Sequence, residues 1–213
     1  IRAIGPGLAT LGVSGVLADP RLEVVNATTD AVVATNDDWG AASNAAQVPA
    51  ASSQVGAFPL TSGSKDAVVL GSFAAGTYRV RVSGATADPG IVSLEIYDAD
   101  TAPRLVYIAT RAFAGTGNEA LVQGFVVKAP LSGRTYLLRA LGPTLGVPGA
   151  LPDPQLAVHS GETVLASNDN WGGDTAIANA AATAGAMPLP LTSKDAAVLF
   201  TPAMDAFVDY RPF

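Results

Sequence analysis

The feature that most limits how this chain can fold is that it repeats itself. The segment IRAIGPGL (residues 1–8) returns as LRALGPTL (138–145), and VSGVLADPRL (13–22) returns as VPGALPDPQL (147–156). VVATNDDWG (32–40) returns as VLASNDNWG (164–172), PLTS (59–62) returns at 190–193, and KDAVVL (65–70) returns as KDAAVL (194–199). Of the 37 positions in these blocks 26 are identical, while the offset between copies drifts from 137 to 129. Blocks that keep their order while the loops between them change length mark a duplicated unit rather than shared composition.

The copies differ in what surrounds them. The first has nothing before it like residues 104–136, and after KDAAVL neither GTYRVRVSG (76–84) nor GIVSLEIYDAD (90–100) returns. The expectation is about one and a half units, divided at 1–100 and 101–213, with strand edges left unpaired. The chain opens on Ile1 without a charged leader, which reads as a signal already removed or a fragment of something longer.

Alternation at period two predicts half-buried strands over 77–84, 91–98 and 104–113. In the first of these, Tyr78, Val80 and Val82 share one face and Arg79 and Arg81 the other. The stretches 120–127, 135–141 and both KDAxVL runs read as more deeply buried strands, separated by turn signals such as Asp88-Pro89-Gly90 and Ser132-Gly133. The fold class expected is all-β: two antiparallel β-sandwich or jelly-roll units in tandem. Ala-rich stretches at 41–56 and 173–185 predict short helical turns, the first interrupted by Pro49.

Composition narrows the functions. A formal charge of -6 and no cysteine among 213 residues exclude the basic footprint that nucleic acid requires, as well as disulfides and thiol chemistry. No run approaches the roughly 18 apolar residues of a membrane span. Scarce lysine and abundant Ala, Gly, Val, Thr and Pro point to a bacterial extracellular or cell-surface location.

Candidate sites are few. Asn36, Asp37 and Asp38, with Asn168, Asp169 and Asn170 in the second copy, place hard oxygen donors on a turn, as calcium prefers. The reading favoured over it is that the same residues cap a turn through side-chain to backbone hydrogen bonds, with the following Trp closing the core. Asp98 and Asp100 could extend such a site or simply form another turn. Arg2 with Asp19, and Arg139 with Asp153, are candidate ion pairs within each copy, whereas Lys65-Asp66 and Lys194-Asp195 read as solvated strand starts. His159 is the single histidine, and no HExxH, GxSxG or P-loop pattern accompanies it. No catalytic residue is assigned, and the chain is expected not to be an enzyme. Asn26-Ala27-Thr28 matches a glycosylation acceptor, taken as a chance match.

From NDDWG through GTYRVRVSG to GIVSLEIYD, the order of features resembles the bacterial pre-peptidase C-terminal type of β-sandwich domain. The full pattern of RAxGPxL, DPxL, NDxWG, PLTS and SKDA also looks like a repeat of large bacterial surface and secreted proteins. The resemblance implies a non-catalytic surface module, often associated with calcium, with Asn36 to Asp38 at its acidic turn. The second copy departs from it after Leu199, where Phe207 stands for Tyr78 but Asp209 falls at the place of Val80.

Two functions follow as expectations. One is a structural subunit of an extracellular filament or layer, partnered by further copies of itself through strand addition. The other is a calcium-associated binding or adhesion module of a larger secreted protein, with polysaccharide as the ligand to test.

Overall fold

A computed structural model describes residues 1–100, 105–116, 120–125 and 133–202. The chain divides into two compact units, Ile1–Ile108 and Ala109–Phe213. Small antiparallel sheets dominate, with few helices. Among the described residues no helix is long and apolar enough to cross a membrane.

The first unit begins with β1 (Arg2–Ile4), a single turn α1 (Pro6–Ala9), β2 (Pro20–Asn26) and β3 (Val32–Asn36). It continues through α2 (Val48–Val55), β4 (Ala67–Val68), β5 (Tyr78–Gly84) and β6 (Ser93–Glu95). One sheet has the order β4-β1-β6 and the other β3-β2-β5. Both contribute to a single buried cluster of Ala3, Leu22, Val24, Ala67 and Val69, against which Tyr78, Val80 and Val82 pack. The alternation in β5 is therefore realised: its apolar residues face the core, opposite Asn26, Val24 and Leu22, while Arg79 and Arg81 face solvent.

The second unit contains β7 (Tyr136–Ala140), β8 (Leu156–Ser160), β9 (Thr163–Asn168), α3 (Thr175–Thr183) and β10 (Ala196–Phe200). Its described sheets are the pairs β10-β7 and β8-β9. The β8-β9 ladder matches the β2-β3 ladder, including a register shift at Val158/His159 where the first unit has one at Val24/Val25. Trp171, Ile177 and Ala197 form its buried cluster.

Several local expectations change. Pro49 does not interrupt the Ala-rich stretch; it sits in the first turn of α2, where its missing N–H costs no hydrogen bond. Gly56 ends that helix at φ 76°, a left-handed conformation that glycine adopts without strain. In the second stretch Asp174 caps α3 by accepting from the N–H groups of Ala176 and Ile177 at 2.7 and 3.2 Å. Over 91–98 the strand is only Ser93–Glu95.

The largest departures fall at residues 105–113 and 120–125. Residues 105–113 form no strand, and Val106 and Phe113 are 95% and 84% exposed. Residues 120–125 likewise form none, and Leu121 and Val122 are exposed rather than deeply buried. Alternation supplies faces to a strand but not a partner, and a strand needs a neighbour for its backbone groups. Arg104, residues 126–127, Phe207 and Asp209 lie outside the described residues.

Candidate functional site

The repeated blocks converge on one buried aspartate in each unit. Asp66 precedes β4 and is fully buried. Its Oδ1 accepts the N–H groups of Gly5 and Gly7 at 2.9 and 3.0 Å, and its Oδ2 accepts the Ser64 hydroxyl at 2.7 Å. Its carbonyl accepts the Trp39 N–H at 2.9 Å, while the Trp39 indole N–H donates to Ser64 Oγ at 3.2 Å. A buried carboxylate with this many donors has its hydrogen-bonding capacity satisfied inside the protein.

Asp195, also fully buried, does the same work before β10. Its Oδ1 accepts from the N–H groups of Gly142 and Thr144 at 2.7 and 3.4 Å, its Oδ2 accepts the Thr144 hydroxyl, and its carbonyl accepts the Trp171 N–H at 2.9 Å. Burial opposes its ionisation, but the hydrogen bonds from Thr144 and Gly142 outweigh that and hold the carboxyl below the ordinary aspartate value. Reading these aspartates as solvated strand starts was incorrect. The Gly-Pro turn that follows β1 or β7 folds back onto the carboxylate and removes it from water.

The glycine in each Gly-Pro is a close approach. A Cβ on Gly5 would lie 2.0 Å from the Leu17 carbonyl oxygen, and one on Gly142 would lie 1.9 Å from that of Leu151. RAxGPxL, LxDP and KDA are thus one spatial unit: the glycine lets two loops touch, and the aspartate holds the contact.

The NDxWG residues occupy the neighbouring turn. Asn36 accepts the Val68 N–H at 2.7 Å through Oδ1 and donates to the Asp38 carbonyl at 3.0 Å. Asn168 accepts from Ala197 at 2.9 Å and donates to the Asn170 carbonyl at 3.0 Å. Each carboxamide clamps its turn to the adjoining strand. Asp38 accepts from the Lys65 ammonium at 3.0 Å, and Asp19 lies 3.8 Å from it. Asp153 pairs with Lys194 in the second unit, and Asn170 stands where Asp38 stands in the first. Asp37, Asp169 and Asn170 are exposed. Among the described residues no group of three or more His, Cys, Asp or Glu side chains is placed to hold a metal ion.

The expected Arg2–Asp19 and Arg139–Asp153 pairs do not form. Arg2 is buried with its Nε 3.3 Å from Glu95 and its guanidinium 4.5 Å from the Phe58 ring centre, and Arg139 donates to the Met187 carbonyl at 2.7 Å. Strand pairing explains the exchange, because β6 puts Glu95 directly opposite Arg2. Burial pushes the Glu95 carboxyl up, and burial pushes the Tyr97 hydroxyl, which donates to Glu95, up to about 12.

The remaining candidates serve turns or lie in solvent. Asn26 accepts from the N–H groups of Thr28 and Thr29 at 2.9 and 3.1 Å, and Asp98 accepts from those of Asp100 and Leu105 at 3.1 and 3.2 Å. His159 is exposed on β8. Comparison with family models, with curated proteins and with solved structures returns no match.

Proposed function

We propose that this chain is a non-catalytic, extracellular structural protein of a bacterial surface, a subunit of a filament or layer whose units complete one another by strand addition. Its two units are tandem copies of one β-sandwich type. Three correspondences support that kinship: the 26 identities in 37 aligned positions, the matching register shifts in the β2-β3 and β8-β9 ladders, and the Asp66 and Asp195 clamps.

The observation that supports the assembly is a strand-like segment that forms no strand: residues 105–113 alternate, yet Val106 and Phe113 are 95% and 84% exposed. A segment of that pattern favours addition to a sheet edge. Electron microscopy and multi-angle light scattering on the purified chain test the reading: concentration-dependent polymers are expected, and a monodisperse monomer at high concentration contradicts it.

A second reading, an adhesion module that binds polysaccharide, draws on a cleft of about 260 Å³ in the first unit lined by Trp39, Pro49, Ser52, Ser53 and Leu60. An aromatic wall with hydroxyls beside it suits a sugar ring. Retention on insoluble polysaccharide that is lost in Trp39→Ala would favour this reading.

A further inference from the structure

Residues 105–113 form no strand, and every one of them is exposed. Among the described residues no backbone hydrogen bond engages 106–113. An endopeptidase draws its substrate through a cleft as an extended strand and pairs with its backbone, so it cuts where a segment already stands outside any ladder. Stretches inside ladders and helices must first open.

Arg111 gives that segment a recognition element. Its side chain is exposed and forms no ion pair among the described residues, which leaves a planar cation for a carboxylate at the base of a pocket. Ala112 after it is small and keeps the N–H of the bond to be cut.

The other described lysines and arginines lack this setting. Arg21, Arg79 and Arg81 sit in the β2-β5 ladder, and Arg2 and Arg139 lie in β1 and β7. Lys65 and Lys194 are each followed by a fully buried aspartate. Arg134 is exposed, but Tyr136, two residues on, already pairs with Phe200.

We propose that the Arg111–Ala112 bond is a processing site for an arginine-specific endopeptidase whose primary pocket carries a carboxylate. The step is a hydrolysis: the oxygen of water joins the Arg111 carbonyl carbon, the bond to the Ala112 nitrogen breaks, and the products are an Arg111 carboxylate and an Ala112 ammonium. The products, 1–111 and 112–213, each carry one copy of the repeated blocks. Sheets β4-β1-β6 and β3-β2-β5 stay whole in the first, and the pairs β10-β7 and β8-β9 in the second. The proposal does not rest on strand addition, although an added strand of the same residues would be shielded from the enzyme.

The test therefore uses the full chain and its Arg111→Gln variant, both diluted until light scattering gives a single-chain mass, with trypsin as the probe. Arg111 is exposed, and circular dichroism checks that the variant is folded. Mass spectrometry should find 1–111 and 112–213 as the first products, formed at least about ten-fold faster than any cut that needs a ladder to open, and should find that cut missing in Arg111→Gln. A first cut at another lysine or arginine, or equal digestion of the two chains, overturns the site. In protein recovered from its native source, peptide mapping should find chains that begin at Ala112, and a bond intact in all of that material overturns the processing assignment.

Discussion

Oδ1 of Asp66 accepts the backbone N–H of Gly5 at 2.9 Å, joining residues 61 positions apart in a site closed to water. Asp195 and Gly142 repeat the contact at 2.7 Å. Each carboxylate ties the loop after β1 or β7 to the start of β4 or β10, next to the turn that carries Trp39 or Trp171.

Asp66→Ala removes the acceptor for three donors in a buried place and should cost about 3–5 kcal/mol, the range for stripping one partner from a buried charged network. Asp66→Asn keeps the shape and part of the bonding and should cost less, about 2 kcal/mol. Urea denaturation followed by Trp fluorescence measures both. A loss under about 1 kcal/mol in Asp66→Ala would remove the clamp from the account.

Gly5→Ala and Gly142→Ala test the close approach rather than the hydrogen bonds. With a carbonyl oxygen about 2 Å from the new Cβ, each should destabilise its unit by at least about 3 kcal/mol, the upper range for overpacking. Gly12→Ala is the contrast, since that glycine has φ 89° and open space around it. It pays only backbone strain, about 1 kcal/mol.

The Asp195 carboxyl is held below its ordinary value of 3.8, so the unfolded chain takes up this proton at a higher pH than the folded chain. Its contribution is present in full above the unfolded value and is lost as the pH falls through the lower folded value. Denaturation midpoints between pH 6 and pH 2 should show that acid loss, and Asp195→Asn should flatten it. An unchanged acid profile in a folded Asp195→Asn protein would contradict the assignment.

Calcium distinguishes the two uses of the NDxWG turns. Because the Asn36 and Asn168 oxygens accept backbone N–H groups and Lys65 occupies Asp38, a chelator should leave the thermal midpoint unchanged, and added calcium should do the same. A calcium-dependent rise of several degrees would assign a site there, with Asp37 and Asp169 as the carboxylates to substitute.

How much of this was legible in the sequence depends on whether a residue's role is local. The faces of β5 were readable because Tyr78, Val80 and Val82 alternate with arginines, and a sheet buried on one side enforces that pattern. Residues 105–113 alternate equally well and form no strand, because pairing depends on a neighbour that local pattern does not supply. Asp66 and Asp195 were missed for a related reason. A Lys-Asp pair ahead of a strand looks solvated until the Gly-Pro loop returns to it in space. The available signal was that the Gly-Pro block and the Lys-Asp block recur together in both copies. The NDxWG turn was readable as a turn, since Asn side chains satisfy nearby backbone groups whatever the tertiary context.

The central claim is that copies of this chain complete one another by strand addition. Multi-angle light scattering across a dilution series measures it most directly. The account predicts a mass that rises with concentration through many multiples of the single chain. A single-chain mass at every concentration would contradict the claim.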